Sequence, residues 1–220
     1  MALVFPLLAL VSLPSAAHAE TVEEASTGYK FDAVRTVDGR PYALLGVGVR
    51  KKFVVKVYAM ALYIDEAEGR HAFPALVSRA GGHDHAKLTS GDHAQSFVMW
   101  GTFGKLAVMH FVRSVDAAKI RGAFEEGLEE ELSDKSPPDI KQGAQAFLAL
   151  FDKDLKDGQE IVLRTTADGK IEVDIAGAKK SGPASPRLAR AVWAIWLGAK
   201  PISADLRRGL VERIDVLGKP

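Results

Sequence analysis

His83, His85 and His93, with Asp84 and Asp92 beside them, are the side chains in this sequence that could form a surface metal site, since imidazole and carboxylate together suit zinc or copper. Their spacing matches no rigid ligand motif, and the Gly-Gly-His-Asp-His and Ser-Gly-Asp-His runs that carry them have the composition of a polar loop, so no metal is expected. Gly46-Val47-Gly48 is too short for a dinucleotide fingerprint and no helix pattern follows it. A nucleophilic serine is equally unsupported, because no Gly-x-Ser-x-Gly occurs. Trp193 and Trp196, with Val192, Ile195 and Leu197, make a helix that is apolar over much of its circumference; it fits a membrane-surface helix or, more commonly, a buried one. No cofactor is expected from any of these sets.

Compartment and composition narrow the chemistry further. Ala2 to Leu13 is an apolar run, Pro14 breaks it, and Ala17-His18-Ala19 offers a small-x-small cleavage pattern before Glu20. Residues 1–19 therefore read as a signal peptide, and residues 20–220 as one exported domain, periplasmic or secreted. The run is short of the roughly 20 apolar residues that span a bilayer, so no stable membrane insertion of the mature chain is expected; against a leader stands the absence of Lys or Arg ahead of it. A formal net charge of +1 argues against a nucleic-acid partner, which would need a marked basic excess. The absence of cysteine excludes disulfides, thiol catalysis and thiolate metal sites, and leaves the fold to its hydrophobic core.

The elements that would position a site follow from the pattern. Glu20 to Tyr29 is polar and reads as a loose lead-in, and Phe31 to Ile64 as strands, with turn signals at Asp38-Gly39-Arg40-Pro41 and at Asp65 to Gly69. Ala80 to Ser96 reads as a surface excursion and Lys105 to Val115 as strand. Asp116 stands at an N-cap position before a helical stripe of Ile120, Phe124, Leu128 and Leu132. After Pro137-Pro138 a second helix, marked by Ile140, Ala144, Phe147, Leu148 and Phe151, runs to about Asp157-Gly158. Glu160 to Thr166 and Lys170 to Ile175 form a hairpin through Asp168-Gly169. Ser185 caps a helix ending at Gly198, and Ser203 caps a last one to about Ile214. Strands, helices, a hairpin and helices again are an α+β order rather than alternating βαβ units.

Gly46-Val47-Gly48-Val49-Arg50-Lys51, followed by Lys56 to Tyr63, resembles the signature of chalcone isomerase-like proteins, especially the bacterial members and the plant fatty-acid-binding members. Three later segments agree in order: His110 to Val115 leading into Phe124-Glu125-Glu126-Gly127-Leu128, Asp157-Gly158 with its hairpin, and Trp193 to Ser203. The resemblance implies an open-faced β-sandwich, a large antiparallel sheet with a layer of helices and a ligand cleft between them. It also implies that Arg50 holds an anionic oxygen, a phenolate in true isomerases and a carboxylate in fatty-acid binders, and that Tyr58 supplies a second hydroxyl-bearing position.

Physical chemistry supports that pair without requiring it. A guanidinium is a rigid fork of donors that matches a carboxylate, and a phenolic hydroxyl adds a donor from an apolar wall. Equally, Arg50 could be a solvated strand residue beside Lys51 and Lys52, and Tyr58 an ordinary sheet aromatic. Eight residues of unbroken strand would separate them by about 26 Å at about 3.3 Å each, too far for one ligand. A reversal must therefore fall between Lys51 and Lys56, although no Gly or Pro marks one. Aligned without gaps from Asp116, the helix that carries a Tyr and an Asn in plant isomerases presents Lys119 and Glu126 instead, so these also rank as ligand-binding positions but reproduce no neutral hydroxyl and amide. The expectation is non-catalytic binding of a fatty acid or similar small amphipathic carboxylate. The alternatives are an isomerase of the intramolecular lyase type acting on a phenolic enone, or an accessory envelope protein with a vestigial cleft.

Overall fold

The computed structural model describes residues 20–133 and 136–219, and the leader expected at residues 1–19 lies outside them. The chain begins with a small hairpin, β1 (Thr21–Glu24) against β2 (Tyr29–Asp32), where the polar composition had suggested a loose lead-in. Its signal is an alternation: Phe31 is buried while Lys30 and Asp32 on either side stay exposed. One antiparallel sheet follows in sequence order, made of β3 (Val34–Val37), β4 (Arg40–Lys52), β5 (Val55–Asp65), β6 (Lys105–Phe111), β7 (Glu160–Thr165), β8 (Lys170–Ile175) and β9 (Ala178–Ala184). Helices interrupt this meander. α1 (Glu66–Ala80), α2 (His85–Thr89) and α3 (His93–Trp100) lie between β5 and β6, and α4 (Ala117–Glu131) and α5 (Pro138–Leu148) between β6 and β7. After β9 come α6 (Pro186–Leu197), α7 (Ala204–Gly209) and a 3-10 turn over Ile214–Gly218. This is the α+β order read from the pattern, arranged as the helix-layered antiparallel sheet that the family resemblance implied.

Parity along β5 sorts the two faces. Tyr58, Met60, Leu62 and Ile64 join the main core shared with the helices, whereas Ala59, Ala61 and Tyr63 join a smaller cluster with Phe31 of the β1–β2 hairpin. A strand covered on both sides must be apolar throughout, and from Tyr58 to Ile64 every residue is buried.

Several elements depart from the expected boundaries, each for a local reason. Asp65 to Gly69 is the start of α1 rather than a turn: the Asp65 carboxylate accepts from the Glu68 backbone N–H at 3.0 Å, a capping Asp with Glu three residues on. Ala80 to Ser96 is no surface excursion, because α2 and the start of α3 bury Leu88, Ala94 and the polar Gln95. α5 stops at Leu148, well before Asp157-Gly158, and the chain continues to a bridge between Leu155 and Val115. α7 ends at Gly209 rather than near Ile214, and the chain finishes in tighter 3-10 geometry. β9 escapes a hydrophobicity reading because an edge strand can carry Lys179, Lys180, Gly182 and Pro183.

Candidate ligand-binding cleft

Glycine clears the way for the site. Gly46 and Gly48 face one side of β4, and α7 with the residue after it lies directly on them: a Cβ on Gly46 would stand 2.1 Å from the Gly209 carbonyl oxygen, and one on Gly48 2.9 Å from Leu206 Cδ1. The Gly-x-Gly segment thus admits a helix to a strand. Arg50 is the next residue on that face, and it lines an open cleft.

The reversal demanded by the Arg50–Tyr58 spacing is present. β4 and β5 are joined by the two-residue turn Phe53-Val54, and in the resulting register Arg50 is the direct cross-strand partner of Tyr58. Opposed residues project from one face with Cβ atoms about 4.5–5.5 Å apart, close enough to share a ligand. A register shift follows at once, Lys51 pairing with Lys56 and leaving Val57 as the extra residue. Beyond it Lys52 and Val55 line the same cleft as Arg50 and Tyr58, whereas Lys51 does not.

The cleft has a volume of about 710 Å³. Its floor is the sheet at Tyr58, Met109 and Phe111, and its roof is formed by Ile120, Ala123 and Phe124 of α4 with Ile195 and Trp196 of α6. Gly127 lets the two helices approach, since a Cβ there would lie 3.0 Å from Ile195. Phe124 stacks on Phe151 at 4.3 Å between centroids and meets the Trp196 ring edge-on at 5.8 Å, which fixes the aromatic wall.

Within this apolar lining the inner polar groups are few. The Trp196 Nε1–H donates to the Tyr58 hydroxyl oxygen at 3.1 Å, with both residues buried. Among the described residues nothing accepts the Tyr58 proton, which leaves the hydroxyl a donor to spare. Burial pushes the Tyr58 pKa up to about 12, against the opposing pull of the Trp196 bond and the Arg50 charge, so the group stays a neutral donor near neutral pH. Arg50 is half-buried, donates from Nη1 to the Lys51 carbonyl at 2.6 Å, and has no carboxylate partner among the described residues.

Lys119 and Glu126 also line the cleft, both on exposed positions of α4. The Lys119 ammonium bonds the Asp116 carboxylate at 2.5 Å and holds that carboxyl below its usual range. The rim includes Arg113, Ser114, Glu130 and Lys200, none of which sequence reasoning had singled out, with Lys200 and Glu130 paired at 2.8 Å. Their signal was available, because Arg113, Ser114 and Lys200 belong to the segments that carried the family resemblance. In all, Arg50, Lys52, Arg113, Lys119 and Lys200 face Glu126 and Glu130, a lining biased toward anions.

The other candidates lie elsewhere. His85 pairs with Glu212 at 3.2 Å and approaches Asp215 at 3.6 Å, while the His83 ring lies 6.4 Å from that of Phe73. Among the described residues no group of three or more His, Cys, Asp or Glu converges on a metal position. Trp193 and Trp196 are each 1% exposed, so α6 is a core helix rather than a membrane-surface one. No helix among the described residues is long and apolar enough to cross a membrane.

A model of chalcone isomerase-like proteins matches residues 23–212. The chain belongs to the chalcone isomerase-like family. Among solved structures, this chalcone isomerase-like chain is similar to the crystal structure of a fatty-acid binding protein from Arabidopsis thaliana, with a TM-score of 0.73 and 21% identity over 90% of this chain and 98% of that one. Identity at that level speaks for a shared fold. A comparison with curated proteins finds no match.

Proposed function

We propose that this chalcone isomerase-like protein binds a fatty acid or similar amphipathic carboxylate, without chemical turnover, in the cleft between sheet and helices. The observation that carries this reading is the direct pairing of Arg50 with Tyr58 on the cleft floor, two donors with no anion among the described residues to satisfy them. A carboxylate would take the guanidinium fork and the hydroxyl proton, and an aliphatic tail would lie against Phe111, Ile120, Phe124 and Ile195. A volume of about 710 Å³ lies within the range of about 300–1,000 Å³ usual for small-molecule pockets. The Arabidopsis relative, itself named a fatty-acid binding protein, supports the same choice. Lys119 and Glu126 would flank the entrance and contact the ligand there.

Turnover of a phenolic enone would require a phenolate stabilised as it attacks, to which Arg50 could contribute. Lys119 and Glu126 offer charges where plant isomerases have a neutral hydroxyl and amide, which favours binding over catalysis. A vestigial site would be filled by its own side chains, whereas this cleft is open. The leader-like residues 1–19 support a periplasmic or secreted location for the same role. Native mass spectrometry of the protein purified from cells tests the reading: a retained carboxylate of fatty-acid mass is expected. A chain that carries nothing and takes up no added fatty acid would refute it.

A further inference from the structure

The β4–β5 turn exposes the most apolar surface per residue in the described chain. Phe53 and Val54 are each 91% exposed and Val55 43%, and elsewhere only Val34 and Trp100 among large hydrophobic residues are comparably bare. Phe53 also has φ +56°, the left-handed region where Gly or Asn is at ease and a bulky side chain is strained. A residue that faces water in a strained turn serves neither solubility nor folding, and Asn would suit both better. Around this tip stand Lys51, Lys52 and Lys56, all exposed, in a six-residue run, Lys51-Lys52-Phe53-Val54-Val55-Lys56, without an acidic residue. The Lys56 ammonium reaches the Ser26 carbonyl, and among the described residues no carboxylate is paired with any of the three.

We propose that the Phe53-Val54 tip is a docking surface for an anionic lipid bilayer. Apolar side chains ringed by lysines are complementary to an interface that is negative at its surface and apolar beneath it, and the lysine stems let ammonium groups stay at the phosphates while the tip goes deeper. A second copy of the chain would bring the same lysines against these and be repelled. Position supplies the other argument. Lys52 and Val55 belong both to this hairpin and to the cleft lining, so a docked tip sets the mouth of the cleft against the membrane. Contact would be peripheral, since no described helix can span a bilayer. The inference goes beyond the ligand reading and does not depend on it; if both hold, a lipid-derived carboxylate can pass between bilayer and cleft without crossing water.

Sedimentation of the full chain with vesicles tests this, using phosphatidylcholine alone and an equimolar mixture with phosphatidylglycerol. The wild type should bind the mixed vesicles. Phe53→Asn/Val54→Ser should weaken that binding about tenfold or more through lost apolar burial, and Lys51→Ala about fivefold, on the anionic vesicles alone. Because Asn suits the positive φ, the double variant should melt no lower than wild type, so loss of binding cannot be assigned to misfolding. Its affinity for a soluble fatty acid should be unchanged, which separates failure of docking from failure of the ligand site. Three results would overturn the proposal: no wild-type binding to anionic vesicles, equal binding by the double variant, or a tip-dependent dimer in sedimentation velocity.

Discussion

Tyr58→Phe separates what one hydroxyl does for the fold from what it does for the ligand. The ring stays packed beside Phe111, 5.4 Å away between centroids, so the change is the loss of a single oxygen. That oxygen accepts the Trp196 Nε1–H at 3.1 Å, and Trp196 is 1% exposed, so the indole donor is stranded away from water. An unsatisfied buried donor costs about 1–3 kcal/mol. At about 2–4 °C per kcal/mol for a chain of this size, a mid-range cost of about 2 kcal/mol lowers Tm by about 4–8 °C. Separately, a bound carboxylate loses one donor, at about 1–1.5 kcal/mol, which raises Kd about fivefold to twelvefold. Scanning calorimetry and titration of a fluorescent fatty acid on the same samples read the two effects independently. A lower Tm with an unchanged Kd would show that the hydroxyl serves only Trp196, and the cleft-floor reading of Tyr58 would fail.

Three other outcomes follow from the same geometry. Gly46→Ala forces a Cβ to within 2.1 Å of the Gly209 carbonyl, a backbone atom that can yield only if α7 moves, so unfolding should show a loss of about 1–3 kcal/mol or more; Gly48→Ala meets the flexible end of Leu206 and should cost clearly less. Cyclisation of a hydroxychalcone, followed by absorbance, should show no Arg50-dependent acceleration over the spontaneous rate. Burial raises all four tyrosines, Tyr29 and Tyr58 to about 12 and Tyr42 and Tyr63 likewise upward, so the ultraviolet titration of native protein should lie above that of the unfolded chain, with Tyr29 and Tyr58 silent at pH 10. For Tyr58 a folded pKa of about 12 above the unfolded 10.0 means stability that is intact below pH 10 and lost as pH climbs toward 12, so its ionisation should accompany unfolding; Tyr58 titrating reversibly near pH 10, read as the part of the titration that Tyr58→Phe removes, would contradict that burial.

How much of this was legible in the sequence varies with the physics that sets each element. Distance alone required a reversal between Lys51 and Lys56, and it is there; its exact turn was hidden because Phe53 occupies a positive-φ position that turn chemistry reserves for Gly or Asn. The Asp168-Gly169 hairpin and the Ser185 and Ser203 caps were legible because each rests on a short-range interaction, a positive φ at Gly169 or a hydroxyl accepting from a nearby N–H. Polar segments were misread when only one face is buried: the β1–β2 hairpin holds its place largely through Phe31 and Tyr29, and α2 through Leu88. Arg113 and Lys200 come to the cleft from just beyond the ends of β6 and α6, a convergence that only the family resemblance, and no local pattern, could have signalled.

Arg50 is where the account is most exposed. If a carboxylate sits between Arg50 and Tyr58, Arg50→Ala removes a charge-assisted pair and leaves the anion's desolvation uncompensated, which costs about 2–5 kcal/mol, or about 30-fold to several thousandfold in affinity. Lys51→Ala, on the face of β4 turned away from the cleft, is the matched control and should leave the affinity unchanged. Titrating one fluorescent fatty acid into wild type, Arg50→Ala and Lys51→Ala is therefore the direct test: the account predicts a loss confined to Arg50→Ala. Equal affinities for wild type and Arg50→Ala would mean that the cleft is not a carboxylate site.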